Sequence, residues 1–324
     1  MNIHTKITEL LGIKYPIIQG GLQGLGTSEL SAKVSEAGGL GLITAGSFDT
    51  KEEMIHDIEK ARNITNKPLG VNIATGIRKP MDQFIDGAVE ADVPIVFTSG
   101  RNPEPYIEQL KNNDTIVVHV APSIRFLKKA ESIGCDAVVV NGYECGGHPG
   151  KDDVTSLTIV QKASRELSIP VIAAGGFSTG KSLLAALSLG AEGVQMGTRF
   201  LLSKESKLHP QIKQKLLCMQ ENDTILVKKS IGKTARVWKN ERSKELADKE
   251  LKGAPLDDIL PYISGESYKE LIVYGRTNKG VLSLGQTIGM IEEAKSVKEI
   301  IEMIIDDFKK QLEQVNQLTE RIKT

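Results

Sequence analysis

Cysteine is scarce: the 324 residues hold three, Cys135, Cys145 and Cys218, at unrelated spacings and without a C-x-x-C pair. That pattern excludes both a disulfide framework and a structural zinc site, and it predicts free thiols. Net charge is lacking as well, because 41 Lys and Arg residues offset 41 Asp and Glu. No global positive field exists to recruit nucleic acid or anionic lipid, so the expected partner is a small molecule. No apolar run reaches the roughly 18 residues needed to span a membrane. The opening segment MNIHTKITELLG has neither a hydrophobic signal core nor an Arg-rich transit pattern, and the chain reads as cytoplasmic. HExxH and clustered Cys/His patterns are missing too, so no metal site is expected.

What is present is a regular alternation. Eight short apolar runs follow one another: YPIIQ, LGLITA, LGVNIA, PIVFTS, TIVVHVA, AVVVNG, PVIAAG and GVQMG. Amphipathic segments rich in Ala, Glu and Lys lie between them, among them TSELSAKVSEAGG and KEEMIHDIEKARN. Near-continuous apolar strands alternating with helices imply a parallel sheet covered on both faces. With eight repeats, closure into a (β/α)8 TIM barrel is more economical than an open sheet. GGLQGLG after the first run has glycines, but no acidic residue ends a matching second strand, so a dinucleotide fold is disfavoured. The period fails after Phe200. Residues 204–289 read as a smaller, mainly helical subdomain inserted after strand eight, with 1–203 and 290–324 forming the barrel. The insert is either structural cover for the barrel mouth or a lid that carries specificity. The tail from Lys295 reads as amphipathic helix able to close the outer ring and to support a homodimer.

Working residues of such a barrel lie at the C-terminal ends of its strands. Gly175 and Gly176 end the seventh run, and Gly197 with Thr198 ends the eighth, so backbone N–H groups from adjacent strand ends can converge on one phosphate. GGLQGLG lets a flat ring approach the backbone. Asn72, at the third exit, offers both a donor and an acceptor to a heterocycle edge. The sixth exit, NGYECGGHPGKDDV, gathers Asn141, Glu144, Gly146, Gly147 and His148 within eight residues. His148 is the candidate for proton transfer or substrate contact, against a simple loop anchor. His4, His56, His119 and His209 read as structural, and Cys145 as a small packed residue lacking a paired base. Arg101 balances an anion or pairs with Glu104 or Glu108; both readings stand. Lys181 reads as solvated helix surface.

KITELLGIKYPIIQGG, EAGGLGLITAG, KPLGVNI, NGYECGGHPG, IPVIAAGG and GAEGVQMGTRFL, in that order, resemble the nitronate monooxygenase family across nearly the whole chain. The resemblance implies a TIM-barrel flavoenzyme that binds FMN non-covalently. Its phosphate would lie on Gly175, Gly176, Gly197 and Thr198. Its ring would be contacted from Gly21, Leu22, Gln23, Asn72, Asn141, Gly146 and Gly147, with Gln195 and Met196 on the last strand, and the family's catalytic histidine matches His148. Three activities share this signature: oxidation of alkyl nitronates by O2, reduction of quinones by NADH or NADPH, and reduction of enoyl-acyl-carrier-protein thioesters. Nitronate oxidation is the leading expectation. GRNPEPY, GGFSTG and TARVWKN look most like the quinone-reductase branch, whereas TRFLLSKESKLHPQIKQKLL resembles the enoyl-reductase branch. The chain departs from the family pattern at GGLQGLG, which lacks the usual Met after the second glycine, and at NIATGI. Two other classes remain for the same glycine turns: a flavin-free enzyme acting on a phosphorylated metabolite, and a non-catalytic flavin-binding protein.

Overall fold

In the computed structural model, which describes residues 3–74 and 81–322, each of the eight apolar runs forms a strand. They are β1 (Ile17–Gln19), β2 (Gly41–Thr44), β3 (Leu69–Ala74), β4 (Ile95–Ser99), β5 (Ile116–Ala121), β6 (Ala137–Asn141), β7 (Val171–Ala174) and β8 (Gly193–Met196). The strands are parallel and ordered β1-β8-β7-β6-β5-β4-β3-β2. A bridge between Ile18 and Leu40 brings the two ends together, so the sheet is a barrel with helices between its strands. The NIATGI departure falls partly on residues 75–77, outside the described residues.

Strand period two sorts the core into two layers. Ile18, Leu42, Ile95, Phe97, Val118, Val139 and Ile172 share the inner cluster. Their alternates Ile17, Ile43, Val71, Val96, Val117, Val138 and Val171 pack outward beneath the helices. The helix Lys6–Leu11 places Ile7 and Leu11 in the inner cluster, as a plug at the N-terminal end of the strands. The helix Val297–Ile322 packs on the helix Gly180–Ser188, where Asp307 accepts from the Lys181 backbone N–H at 2.9 Å. It supplies the outer-ring helix that the last strand needs, as the amphipathic tail implied.

The segment between β8 and this last helix is mainly helical, with helices at Pro210–Leu216, Glu241–Leu251 and Gly265–Ile272. It also contains a ribbon that the helical reading of its sequence missed: β9 (Thr224–Val227) pairs antiparallel with β10 (Ala235–Trp238). Each strand is only four residues long, too short for alternation to stand out from the polar background. A separate apolar cluster including Leu25, Leu201, Trp238, Ile272, Leu284 and Ile288 seats this segment on the C-terminal end of the barrel. Among the described residues no helix is long and apolar enough to cross a membrane.

Candidate active site

Three predicted polar residues share the inner face at the C-terminal end of the barrel. Asn72, Asn141 and Gln195 fall on the same alternation as the inner-layer residues of β3, β6 and β8. Asn72 is buried and its Nδ2 donates to Phe97 O at 3.5 Å. Gly20 and Gly21 pass directly over Gln195 and Asn72: a Cβ at Gly20 would lie 3.3 Å from Gln195 Cγ, and one at Gly21 would lie 2.6 Å from Asn72 Cγ. The glycines are what permits the close approach. The Gln195 Oε1 is buried without a hydrogen-bond partner among the described residues, and an orphaned acceptor in such a place calls for a donor that the protein does not supply. Leu22 donates from its backbone to Thr44 Oγ1 at 2.9 Å, while Gln23 is exposed at the rim with its carbonyl accepting from Tyr268 Oη at 2.8 Å. Met196 faces the other way, into the layer beneath the helices. Only its backbone reaches this region, where its carbonyl accepts from Gly20 N at 3.0 Å.

The two glycine turns also converge. Gly175 and Gly176 have φ of +84° and +83°, a backbone conformation in which side chains would be strained, so the turn leaves its N–H groups uncovered by side chains. Gly197 caps the short helix Thr198–Leu201, and the Thr198 hydroxyl accepts from Gly285 N at 3.0 Å. The sixth loop closes over the same end. A Cβ at Gly175 would lie 2.8 Å from Gly142 O and 3.0 Å from Cys145 Cβ, and one at Gly146 would lie 2.7 Å from Gly285 N. Gly147 exchanges backbone hydrogen bonds with Arg236 of β10, at 3.0 and 2.7 Å.

Glu144 is a fastening rather than a reactive group. Its carboxylate accepts from Ser156 N at 3.0 and 3.2 Å and from Ser156 Oγ at 2.9 Å, at the start of the helix Ser156–Glu166; Ser156 Oγ also donates to Gly175 O. Cys145 is buried, and that burial pushes its thiol up to about 12, so it is no nucleophile. Among the described residues no cluster of three His, Cys, Asp or Glu groups is placed to hold a metal ion.

His148 stands at the rim, with Lys228 Nζ 3.2 Å from its Nε2. His148 is exposed overall; the protein packed against part of the ring, and then the positive charges of Lys228 and Lys233, hold its pKa below the ordinary 6.5. The shift favours the neutral imidazole. His119, by contrast, lies beneath the helices with Nδ1 2.9 Å from Thr98 Oγ1, and burial lowers its pKa to about 4; it has no access to the mouth. His4 and His56 are exposed, and His209 caps the helix Pro210–Leu216.

Reading the sequence does not single out the insert's contribution. Arg236 donates Nε and Nη2 to Tyr143 O at 3.1 and 3.0 Å and Nη1 to Thr224 Oγ1 at 3.1 Å. Its segment, TARVWKN, stands out as a motif, but nothing local ties it to a loop 93 residues away. Lys228 carries no signal beyond the basic run VKKSIGK.

The sequence model of the nitronate monooxygenase family matches residues 4–93 and 85–307. A probable nitronate monooxygenase of Staphylococcus saprophyticus is 35% identical over 285 residues, 74% of this chain and 80% of its own. The (3aS,4S,5R,7aS)-5-hydroxy-7a-methyl-1-oxo-octahydro-1H-indene-4-carboxyl-CoA dehydrogenase of Rhodococcus jostii is 30% identical over 352 aligned positions, spanning 98% of this chain and 99% of its own. Among solved structures, FabK from Thermotoga maritima superposes with a TM-score of 0.91 at 39% identity, over 98% of this chain and 99% of that one. Nitroalkane oxidase from Streptomyces ansochromogenes superposes with a TM-score of 0.81 at 24% identity, over 94% and 98%, a likeness of fold alone. With eight parallel strands closed into a barrel and the matched model running through all of them, the chain belongs to the nitronate monooxygenase family and is a flavin-dependent oxidoreductase.

Proposed function

We propose that this chain binds FMN at the C-terminal end of the barrel and oxidises alkyl nitronates with O2 to a carbonyl compound and nitrite. The cofactor site we infer uses the Gly175–Gly176 turn with Gly197 and Thr198 for the phosphate. Gly21, Leu22, Gln23, Asn72, Asn141, Gly146, Gly147, Gln195 and the Met196 backbone surround the ring. The orphaned Gln195 Oε1 supports this reading, since a ring N–H is the kind of donor it lacks. When bound, FMN supplies the redox chemistry, accepting electrons from substrate and passing them on, for which the protein contributes placement and electrostatics.

One observation supports the choice among substrates: the Lys228 ammonium lies 3.2 Å from His148 Nε2, with Lys233 adding positive charge from the same ribbon. Ammonium groups at the rim favour an anion, and a nitronate is an anion whereas a quinone is not. His148 would orient that anion by hydrogen bonding. The test is anaerobic: propyl-2-nitronate, NADH and NADPH are added separately to the purified flavoprotein and the flavin absorbance is followed. Bleaching by the nitronate, with nitrite released on admitting air, is expected; bleaching by a reduced nicotinamide alone would overturn the proposal. A second reading, reduction of enoyl thioesters with a nicotinamide as reductant, is favoured by the near-complete overlap with FabK, which fits the enoyl-reductase branch. Crotonyl thioesters offered to the nicotinamide-reduced protein distinguish it.

A further inference from the structure

The turn joining β9 to β10 is built in an unusual way. Lys228 has φ +62°, a left-handed conformation common for Gly, Asn and Asp but rare for a long side chain. Such positions persist when the surroundings over-determine them, and here they do. Glu250, on the helix Glu241–Leu251, accepts from Lys228 N at 2.7 Å through one carboxylate oxygen. Its other oxygen accepts from Ser230 N at 2.9 Å and Ser230 Oγ at 2.8 Å. Lys233 N closes the turn onto Lys228 O at 3.0 Å. The same ribbon is fastened to the His148 loop by the Gly147–Arg236 backbone pair. Two anchors therefore fix where the Lys228 side chain starts, and its ammonium ends 3.2 Å from His148 Nε2.

We propose that Lys228 is a positioning residue for His148, fixing the imidazole in the tautomer protonated at Nδ1 so that the ring works as a hydrogen-bond donor. The inference rests on the reading of His148 as the group that meets substrate. An ammonium has donors and no acceptor, so the Nε2 it faces must present its lone pair, and the ring's proton lies on Nδ1. A ring so held is poorly suited to removing the α-proton of a neutral nitroalkane through Nε2, because that lone pair is already engaged. It is well suited to donating from Nδ1 to an anion already formed. The substrate class narrows accordingly to preformed nitronates. Among the described residues, the other charged groups near this loop are not hydrogen-bonded to Nε2. Lys233 adds positive charge from the ribbon, and Lys151, on the loop itself, lies against Gly232. Arg236 is committed to Tyr143 O and Thr224, Asp153 to the Tyr143 hydroxyl, and Glu144 to Ser156.

The experiment uses the flavoprotein labelled with 15N-histidine. Long-range 1H–15N spectra report tautomer and titration of each ring, with the His148 signals assigned by their loss in His148→Gln. Wild type is expected to show His148 protonated at Nδ1. In Lys228→Met the tautomer should become mixed and the titration midpoint should rise toward the ordinary value of about 6.5, with Lys228→Arg restoring most of both. Turnover of propyl-2-nitronate at saturation should fall about tenfold in Lys228→Met, while neutral 2-nitropropane gains relative to the nitronate. An unchanged tautomer and midpoint in Lys228→Met overturns the inference, whatever the activity does. Full turnover in His148→Gln would instead remove the reading of His148 on which it rests, an outcome separable from the first because the spectra do not depend on catalysis.

Discussion

One methyl group added at Gly21 tests whether the barrel mouth holds a flavin where proposed. In Gly21→Ala the new carbon would lie 2.6 Å from Asn72 Cγ and 3.3 Å from Asn72 Cβ. Carbon atoms in favourable contact sit about 3.5–4.0 Å apart, so the Asn72 amide must move by roughly 1 Å. Asn72 is only 7% exposed and its Nδ2 already donates toward β4. On the proposed placement, the space it would move into is the volume assigned to the ring. Without flavin the amide can swing there; with flavin bound it cannot. The strain of overpacking, typically about 1–3 kcal/mol, should therefore appear as lost cofactor affinity, a rise in Kd of roughly fivefold to 150-fold. Titrating apoprotein with FMN and following the quenching of flavin fluorescence measures it, and thermal unfolding of the apoproteins checks the fold. Gly265→Ala serves as the control, because nothing lies within 4 Å of a Cβ there and its φ is not positive. An FMN Kd equal in Gly21→Ala and wild type would refute the placement of the ring over Asn72.

Two further outcomes follow from burial. His119 has a folded pKa of about 4 against 6.5, so between those values the unfolded chain binds a proton that the folded chain refuses. Its contribution to stability is complete above about pH 6.5 and is lost as pH falls toward 4, on the order of 3 kcal/mol. Denaturant midpoints measured across that window should fall steeply in wild type and less so in His119→Leu, where the remaining fall comes from other groups with depressed pKa values, Glu166 and Glu299 among them. The thiols differ in reach: Cys218 is exposed whereas Cys135 and Cys145 are buried with their pKa values raised to about 12. Iodoacetamide should label Cys218 alone in native protein, as peptide mass spectrometry would show, and rapid native labelling of Cys145 would contradict the packing of the sixth loop.

The barrel is legible in the sequence because its signal is local. Each strand is a short apolar run closed by a turn, and a period of two then decides which side chains enter the lumen; thus Asn72, Asn141 and Gln195 can be named from strand exits alone. Gly175 and Gly176 are readable for the same reason, a doubled glycine at a strand exit. Met196 shows the limit of that reading: it neighbours Gln195 in sequence, yet the same alternation turns its side chain away. Glu144 looks like chemistry beside a histidine, and only the chain's return at Ser156 reveals it as a fastening. Lys228 and Glu250 are invisible at that level, since their meaning depends on a left-handed turn and on contacts spanning 80 and 22 residues.

From those long-range contacts we propose that the insert does more than cover the barrel mouth. A glycine-rich loop such as GYECGGHPG has little conformational preference of its own, and ordering it costs roughly 1–2 kcal/mol per residue in backbone entropy. Here the ordering is supplied from outside the barrel: Gly147 pairs with β10, Arg236 binds Tyr143 O, and Gln286 N donates to Glu144 O at 3.0 Å. A mere cover could be trimmed without disturbing His148. Trimming this one is expected to disturb it, because the strand that fastens the loop is continuous with the turn that carries Lys228. The ribbon thus contributes both to loop order and to the electrostatics of the imidazole. A substitution on the outer face of the ribbon, remote from any substrate, is then expected to alter both together.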